Sequence, residues 1–305
     1  MKNVIYSFYT DIEDNSLRNN SHFYGDKISK AEKTKSQFIK YKNRLLNSKK
    51  DYAKMCDADF IFFDDIPDKD FDSINFYKHK LMEDLIKDYD NILYLDFDVI
   101  PNTNESFFKV HDMTKINVHA VNSTKKNTWS NETQYFWKRH EIGKTSNIGT
   151  KEKPIMMTPN RIIKMHFDKY HMYCKALCKL SMLSIDNIFS NDYHIANTGI
   201  VGGSSESLSQ IKMTERMNEI KKVFNNAIVE CPFDEAYTKH FFINNEVFFS
   251  YILDRYNLNW YNLSFEWHHY HYHMPNEHKI YYKNKLLKAK LIHMIDKDFG
   301  LVYDV

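Results

Sequence analysis

Within the first hundred residues, apolar runs suited to strands alternate with longer Gly- and Pro-free spans suited to helices, and this constrains the chain more than any other feature. Residues 3–9 (NVIYSFY) end in Thr10-Asp11, residues 58–63 (ADFIFF) close on Asp64-Asp65, and residues 91–97 (NILYLDF) close on Asp98. Between them, residues 27–54 place Phe38, Tyr41, Leu45 and Tyr52, with Met55 just beyond, at helix-compatible spacings. Residues 76–89 place Leu81, Leu85, Ile86 and Tyr89 on one stripe. Strands that read as continuous apolar runs are covered on both faces, and parallel neighbours need crossovers, which helices supply. The pattern predicts an α/β fold with a mostly parallel central sheet flanked by helices, whose ligands sit beyond the carboxyl ends of the strands.

Charge and composition exclude several classes of protein. Lys+Arg 42 against Asp+Glu 40 leaves a net +2, so no strong field recommends nucleic acid or an anionic membrane as partner. A hydrophobic fraction of 43%, with 22 Phe and 21 Tyr, is ample for a large core. The first apolar run is too short for a signal-peptide core, and no 18 apolar residues occur in succession, so a soluble, cytoplasmic protein with no transmembrane segment is expected. Cys174 and Cys178 have helical spacing, and with Cys56 and Cys231 they read as reduced, mostly buried thiols. No linker or repeat interrupts residues 1–305, so one domain is expected.

Beyond residue 101 a strand is expected at 116–121, then a polar stretch over 122–159 containing Trp129, Tyr135, Phe136 and Trp137, read as an ordered loop over the site or as a surface insertion. Helices are expected at 161–183, 206–225 and 244–256. Residues 195–204 (IANTGIVGGS) hold three of the seven glycines, so the backbone there needs either positive φ or close approach. Residues 266–273 (EWHHYHYH) put His269, His271 and His273 on one strand face, an arrangement suited to zinc, to an aromatic sugar platform or to an ordinary half-exposed strand.

Asp96 and Asp98, one residue apart at the end of a buried apolar strand, are the strongest chemical signal. On a regular strand both point to one face, and two such carboxylates are costly unless something cationic meets them. A hard divalent ion such as Mn²⁺ or Mg²⁺, shared with phosphate oxygens, compensates that charge. Alternatively, the pair caps a solvated strand end.

Residues 76–100, FYKHKLMEDLIKDYDNILYLDFDVI, resemble the core of GT-A glycosyltransferases, in particular the glycogenin and galactosyltransferase group called family 8. They share a Lys-bearing helix, an acidic pair with Tyr before a strand, then YLDxDV. The segments IANTGIVGG, Asn244-Asn245-Glu246 and LIHMIDKDFG resemble later family motifs in the same order.

The resemblance implies a Rossmann-like GT-A fold with a nucleotide-binding half over 1–100 and an acceptor-binding half over 101–305. It implies sugar transfer from a nucleotide-sugar donor, a UDP-sugar by analogy, to a glycan or other hydroxyl acceptor. Asp96, Asp98 and His293 would hold Mn²⁺ (or Mg²⁺), Lys297 would face the diphosphate, and Lys80 would reach the donor sugar or phosphate. Ser7, Tyr9, Thr10 and Asp64, with Asp96, would hold base and ribose. Asn197, Asn245 and Glu246 would serve the reacting centre, and Thr198 and Gly199 the acceptor. The chain departs from the family in having Asn-Asn-Glu where an acidic-Gln-acidic run is usual, and in spacing His293 and Lys297 only four apart with Gly300 after them. Two other readings are a haloacid-dehalogenase-like phosphatase, which wants its Asp pair on the first strand and Thr where Ile100 stands, and a non-catalytic glycan-binding protein on the same fold.

Overall fold

A computed structural model describes residues 1–10, 30–64, 71–122, 175–176, 178–230, 244–271, 288–295 and 297–304. The alternation of the first hundred residues becomes β1 (Asn3–Phe8), α1 (Lys30–Met55), β2 (Asp59–Phe63), α2 (Phe71–Leu85) and β3 (Asn91–Leu95). β1 lies between β2 and β3 and runs parallel to both, so each helix serves as a crossover. α1 buries Phe38, Tyr41, Leu45 and Tyr52, the stripe expected from their spacing.

The chain continues through β4 (Val99–Pro101), α3 (Phe107–Val110), β5 (Ile116–Asn122), β6 (His194–Ser204), α4 (Ser205–Ser209), α5 (Met213–Glu230) and α6 (Asn245–Arg255). It ends with β7 (Trp260–Asn262), β8 (His269–His271), β9 (Leu291–Met294) and α7 (Gly300–Tyr303). The main sheet has the order β2-β1-β3-β6-β5-β7, and β6 runs antiparallel to both of its neighbours while β7 is parallel to β5. The architecture is thus mixed α/β with a mostly parallel central sheet. A second sheet, β4-β9-β8, pairs β9 antiparallel to β4 and parallel to β8.

Three apolar clusters hold these layers together. On one face of the main sheet, Tyr6 and Tyr94 pack with Met82 and Leu85 of α2, Phe224 of α5, and Phe248 and Phe249 of α6. On the other face lie Ile5, Leu93, Leu95, Phe107 and Trp267. The third joins α1 to the small sheet through Phe38, Leu45, Phe97, Ile292 and Phe299. Each large apolar side chain so buried contributes roughly 1.5–3 kcal/mol relative to exposure.

Several expectations change in detail. The helix expected at 206–225 is two helices, α4 and α5, parted at Lys212, whose φ of 46° no helix accommodates. The helix expected at 244–256 starts where Asn244 accepts hydrogen bonds from the backbone N–H groups of Glu246 and Val247. Of the helix expected at 161–183, residues 178–183 are helical and most of the remainder falls outside the described residues, as do 123–159, Cys174, Cys231 and His273. Cys56 and Cys178 are buried. None of the described helices is long and apolar enough to cross a membrane.

Candidate metal centre

β3 stops at Leu95, and residues 96–99 form a tight turn in which the Val99 N–H donates to the Asp96 carbonyl at 2.9 Å. Asp96 and Asp98 therefore lie on a turn and not on one face of a regular strand as expected. The chain must reverse here because Val99 pairs with His293 across β4 and β9. That pairing delivers the third side chain: Asp96, Asp98 and His293 each offer a ligand atom within 4.8 Å of the others. His293 Nε2 lies 3.7 Å from Asp96 Oδ2 and 3.4 Å from Asp98 Oδ2. The Asp98 side chain is 6% exposed and that of Asp96 28%, so the cluster opens on the Asp96 side.

Cations surround these carboxylates. Lys297 donates to Asp98, and the Lys78 ammonium lies 3.5 Å from Asp96 Oδ1 while donating to the Thr198 carbonyl at 3.0 Å. The Tyr94 hydroxyl donates to Asp96. Burial pushes the Asp98 carboxyl up, but Lys297 and His293 outweigh it and hold the group well below the usual carboxylate range. Behind the turn, the fully buried Lys49 donates to the Phe97 carbonyl at 2.9 Å. Burial brings its ammonium down to about 7, with Asp98 and Asp96 pulling the other way. Two carboxylates and an imidazole converging on one point suit Mn²⁺ or Mg²⁺, and an ionised Asp98 is already in the form a metal requires.

The glycine-rich strand gives the imidazole its space. β6 leaves register with β5 between Val118–Val201 and His119–Asn197, so Thr198, Gly199 and Ile200 bulge toward the turn. The Gly199 carbonyl accepts from the Asp96 N–H at 2.7 Å, and a Cβ on Gly199 would lie 2.4 Å from His293 Cε1. Of the two needs expected for these glycines, close approach is the one met, since none of the described glycines has positive φ.

The bulge also links the cluster to α6. Asn245 Nδ2 donates to Thr198 Oγ1 at 2.8 Å, Asn197 Oδ1 accepts from the Gly199 N–H at 2.9 Å, and Glu246 is paired with the buried Lys175. Ser7 is buried near the end of β1, with a hydroxyl that has no hydrogen-bond partner among the described residues. Tyr9 stacks on Phe97 with ring centroids 5.0 Å apart, under the turn. Thr10 is buried just beyond it, and Asp64 is exposed at the end of β2.

Lys80, expected at the donor, is exposed, with its ammonium 5.7 Å from the Tyr77 ring. Two residues along a helix turn the side chain by about 200°, so it is Lys78 that meets Asp96. Lys78 and Lys49 are not among the residues expected at the site, though helix phase points to both, and His268, which touches His293, belongs to the EWHHYHYH segment but not to the expected metal ligands. His269 and His271 are buried on β8 while Tyr270 between them is partly exposed, the alternation of an ordinary half-exposed strand, and among the described residues the two histidines belong to no group of three metal-capable side chains.

No protein-family model matches the sequence, and no curated protein sequence matches it. Among solved structures the chain is similar to a glycosyltransferase involved in the glycosylation of the major capsid of PBCV-1. The identity is 11% and the TM-score 0.41, over 97% of this chain and 95% of that one. It is also similar to mouse xyloside xylosyltransferase 1 in its apo form, with 13% identity and a TM-score of 0.36 over 97% and 98%.

Proposed function

We propose that this chain is a divalent-metal-dependent glycosyltransferase of GT-A type, moving a sugar from a nucleotide-sugar donor, a UDP-sugar by its motif resemblance, to a hydroxyl of a glycan acceptor. The observation that carries the reading is the convergence of Asp96, Asp98 and His293 beyond the carboxyl end of β3, flanked by Lys78 and Lys297. Asp96, Asp98 and His293 would hold Mn²⁺ or Mg²⁺, which when bound neutralises negative charge on a leaving diphosphate.

The chain's own groups supply the rest. Lys297 and Lys78 put two ammonium groups beside the position where diphosphate charge develops, and a fixed cation there lowers the barrier without reorganising. Ser7, near the end of β1, and Tyr9, Thr10 and Asp64, which follow β1 and β2, lie where a base and ribose would rest. Asn245 is aligned by Thr198 as it stands. Glu246, the candidate base for the acceptor hydroxyl in an inverting transfer, is engaged by Lys175 and needs that pair to open first.

Calorimetric titration with UDP, GDP and their sugars, with and without Mn²⁺, tests this on the wild type and on Asp98→Ala. The expected outcome is metal-dependent binding of one nucleotide, weakened by about 100-fold or more in the variant, since a ligand and an ion-pair partner are lost together. Absence of nucleotide binding under every condition would sink the proposal.

A further inference from the structure

We infer that His268 is the positioning residue for the metal ligand His293, fixing which of its nitrogens carries the proton. The inference rests on the metal reading of the cluster above. His268 sits immediately before β8, is fully buried, and brings Nε2 to 3.0 Å from His293 Nδ1. The two rings lie 28° from parallel with centroids 5.3 Å apart, so the contact runs near the ring planes, where the lone pair and the N–H point.

A His268 ring that accepts a hydrogen bond at Nε2 is neutral, with one lone pair there and one N–H on the other nitrogen. His293 faces Asp96 and Asp98 through Nε2, and it ligates there only with Nε2 unprotonated, its proton then residing on Nδ1. His268 Nε2 accepts that proton's hydrogen bond, which puts the remaining proton of His268 on its own Nδ1.

Packing alone does not explain an imidazole at this position. His268 Nδ1 is buried without a hydrogen-bond partner among the described residues, a cost an apolar side chain would avoid. What the imidazole adds is its bond to His293. Gly199 bounds the His293 ring on another side so closely that a single added Cβ would clash with it. The ring is thus fixed in place by β9 and Gly199, and its proton is placed by His268.

The test measures Mn²⁺ binding by calorimetry, without donor or acceptor, for the wild type, His268→Leu and His268→Gln, with thermal unfolding of each. His268→Leu is expected to bind Mn²⁺ 10–100-fold more weakly. His268→Gln, whose side-chain carbonyl accepts from Nδ1–H, should recover most of that loss at similar melting temperature. Wild-type affinity in His268→Leu would overturn the inference and leave the metal reading standing. Absence of Mn²⁺ binding in the wild type would overturn both. A measurement on the wild type alone covers the case in which neither variant folds: in the Mg²⁺ complex, ¹⁵N NMR of His293 should show a protonated Nδ1 and an unprotonated Nε2. The reverse tautomer would overturn the inference.

Discussion

β3 and β9 are both buried along their whole length, yet they bury different chemistry. β3 places Ile92, Leu93, Tyr94 and Leu95 between two apolar clusters, and of these side chains only the Tyr94 hydroxyl needs a polar partner, which Asp96 supplies. β9 places His293 between Ile292 and Met294 in strands of three or four residues, where an imidazole is tolerable only because Asp96, Asp98 and His268 meet it. The difference teaches that the large sheet carries the fold and the small sheet carries the charge. Damage to the first should unfold the protein, whereas damage to the second should disable it while leaving it folded.

Gly199→Ala is the sharpest way to break this contrast. Its Cβ would meet His293 Cε1 at 2.4 Å and Nδ1 at 2.7 Å, so the ring must leave the cluster. Loss of a ligand should reduce Mn²⁺ affinity by about 100-fold, with the melting temperature lowered by only a few degrees; calorimetry and thermal unfolding read the two effects. A variant that unfolds outright would show that β6 and β9 cannot be separated in this way.

The pH dependence of stability reports on Lys49. In the native protein it titrates near 7 and in the unfolded chain near its ordinary 10.5. Between those values the unfolded chain binds the extra proton, so stability rises with pH across that window, by up to ~1.4 kcal/mol per unit, and the contribution is flat below it. Urea unfolding at pH 7 and pH 9 should show the wild type gaining roughly 2 kcal/mol relative to Lys49→Met. Equal slopes would place the Lys49 ammonium in a charged, compensated state at both values.

A smaller effect separates the two lysines of α2. Lys78→Met should weaken nucleotide-sugar binding by about tenfold, the loss of one charge-assisted contact, while Lys80→Ala should change it less than about twofold because that side chain is solvated. The reverse order would restore Lys80 to the donor.

These residues also show what the sequence discloses. The strand and helix alternation of residues 1–100 is local, so periodicity alone places it, and the Asp pair and His293 stand within apolar runs that draw the eye. Lys78 and Lys49 were legible too: Lys78 falls three before Leu81 and seven before Leu85, and Lys49 falls four after Leu45 and three before Tyr52. A lysine in phase with an apolar stripe is buried and needs a partner, whereas spacing counted back from Asp96 selects Lys80 instead. His268 left no such trace. Its role depends on β8 lying beside β9, a parallel pairing of two very short strands that no local pattern announces. The bulge at Thr198–Ile200 was visible only as scarce glycines gathered in one place.

The pairing of Val99 with His293 sets an order of events for a chain made from its amino end. Asp96 and Asp98 leave the ribosome nearly two hundred residues before the imidazole that completes their set. Until then the turn holds two carboxylates with neither His293 nor Lys297 to offset them, and the three-stranded sheet lacks its middle strand. Under the proposed metal reading, an incomplete translation product would lack one of the three ligands, so capture of the ion would mark a chain whose synthesis has passed β9.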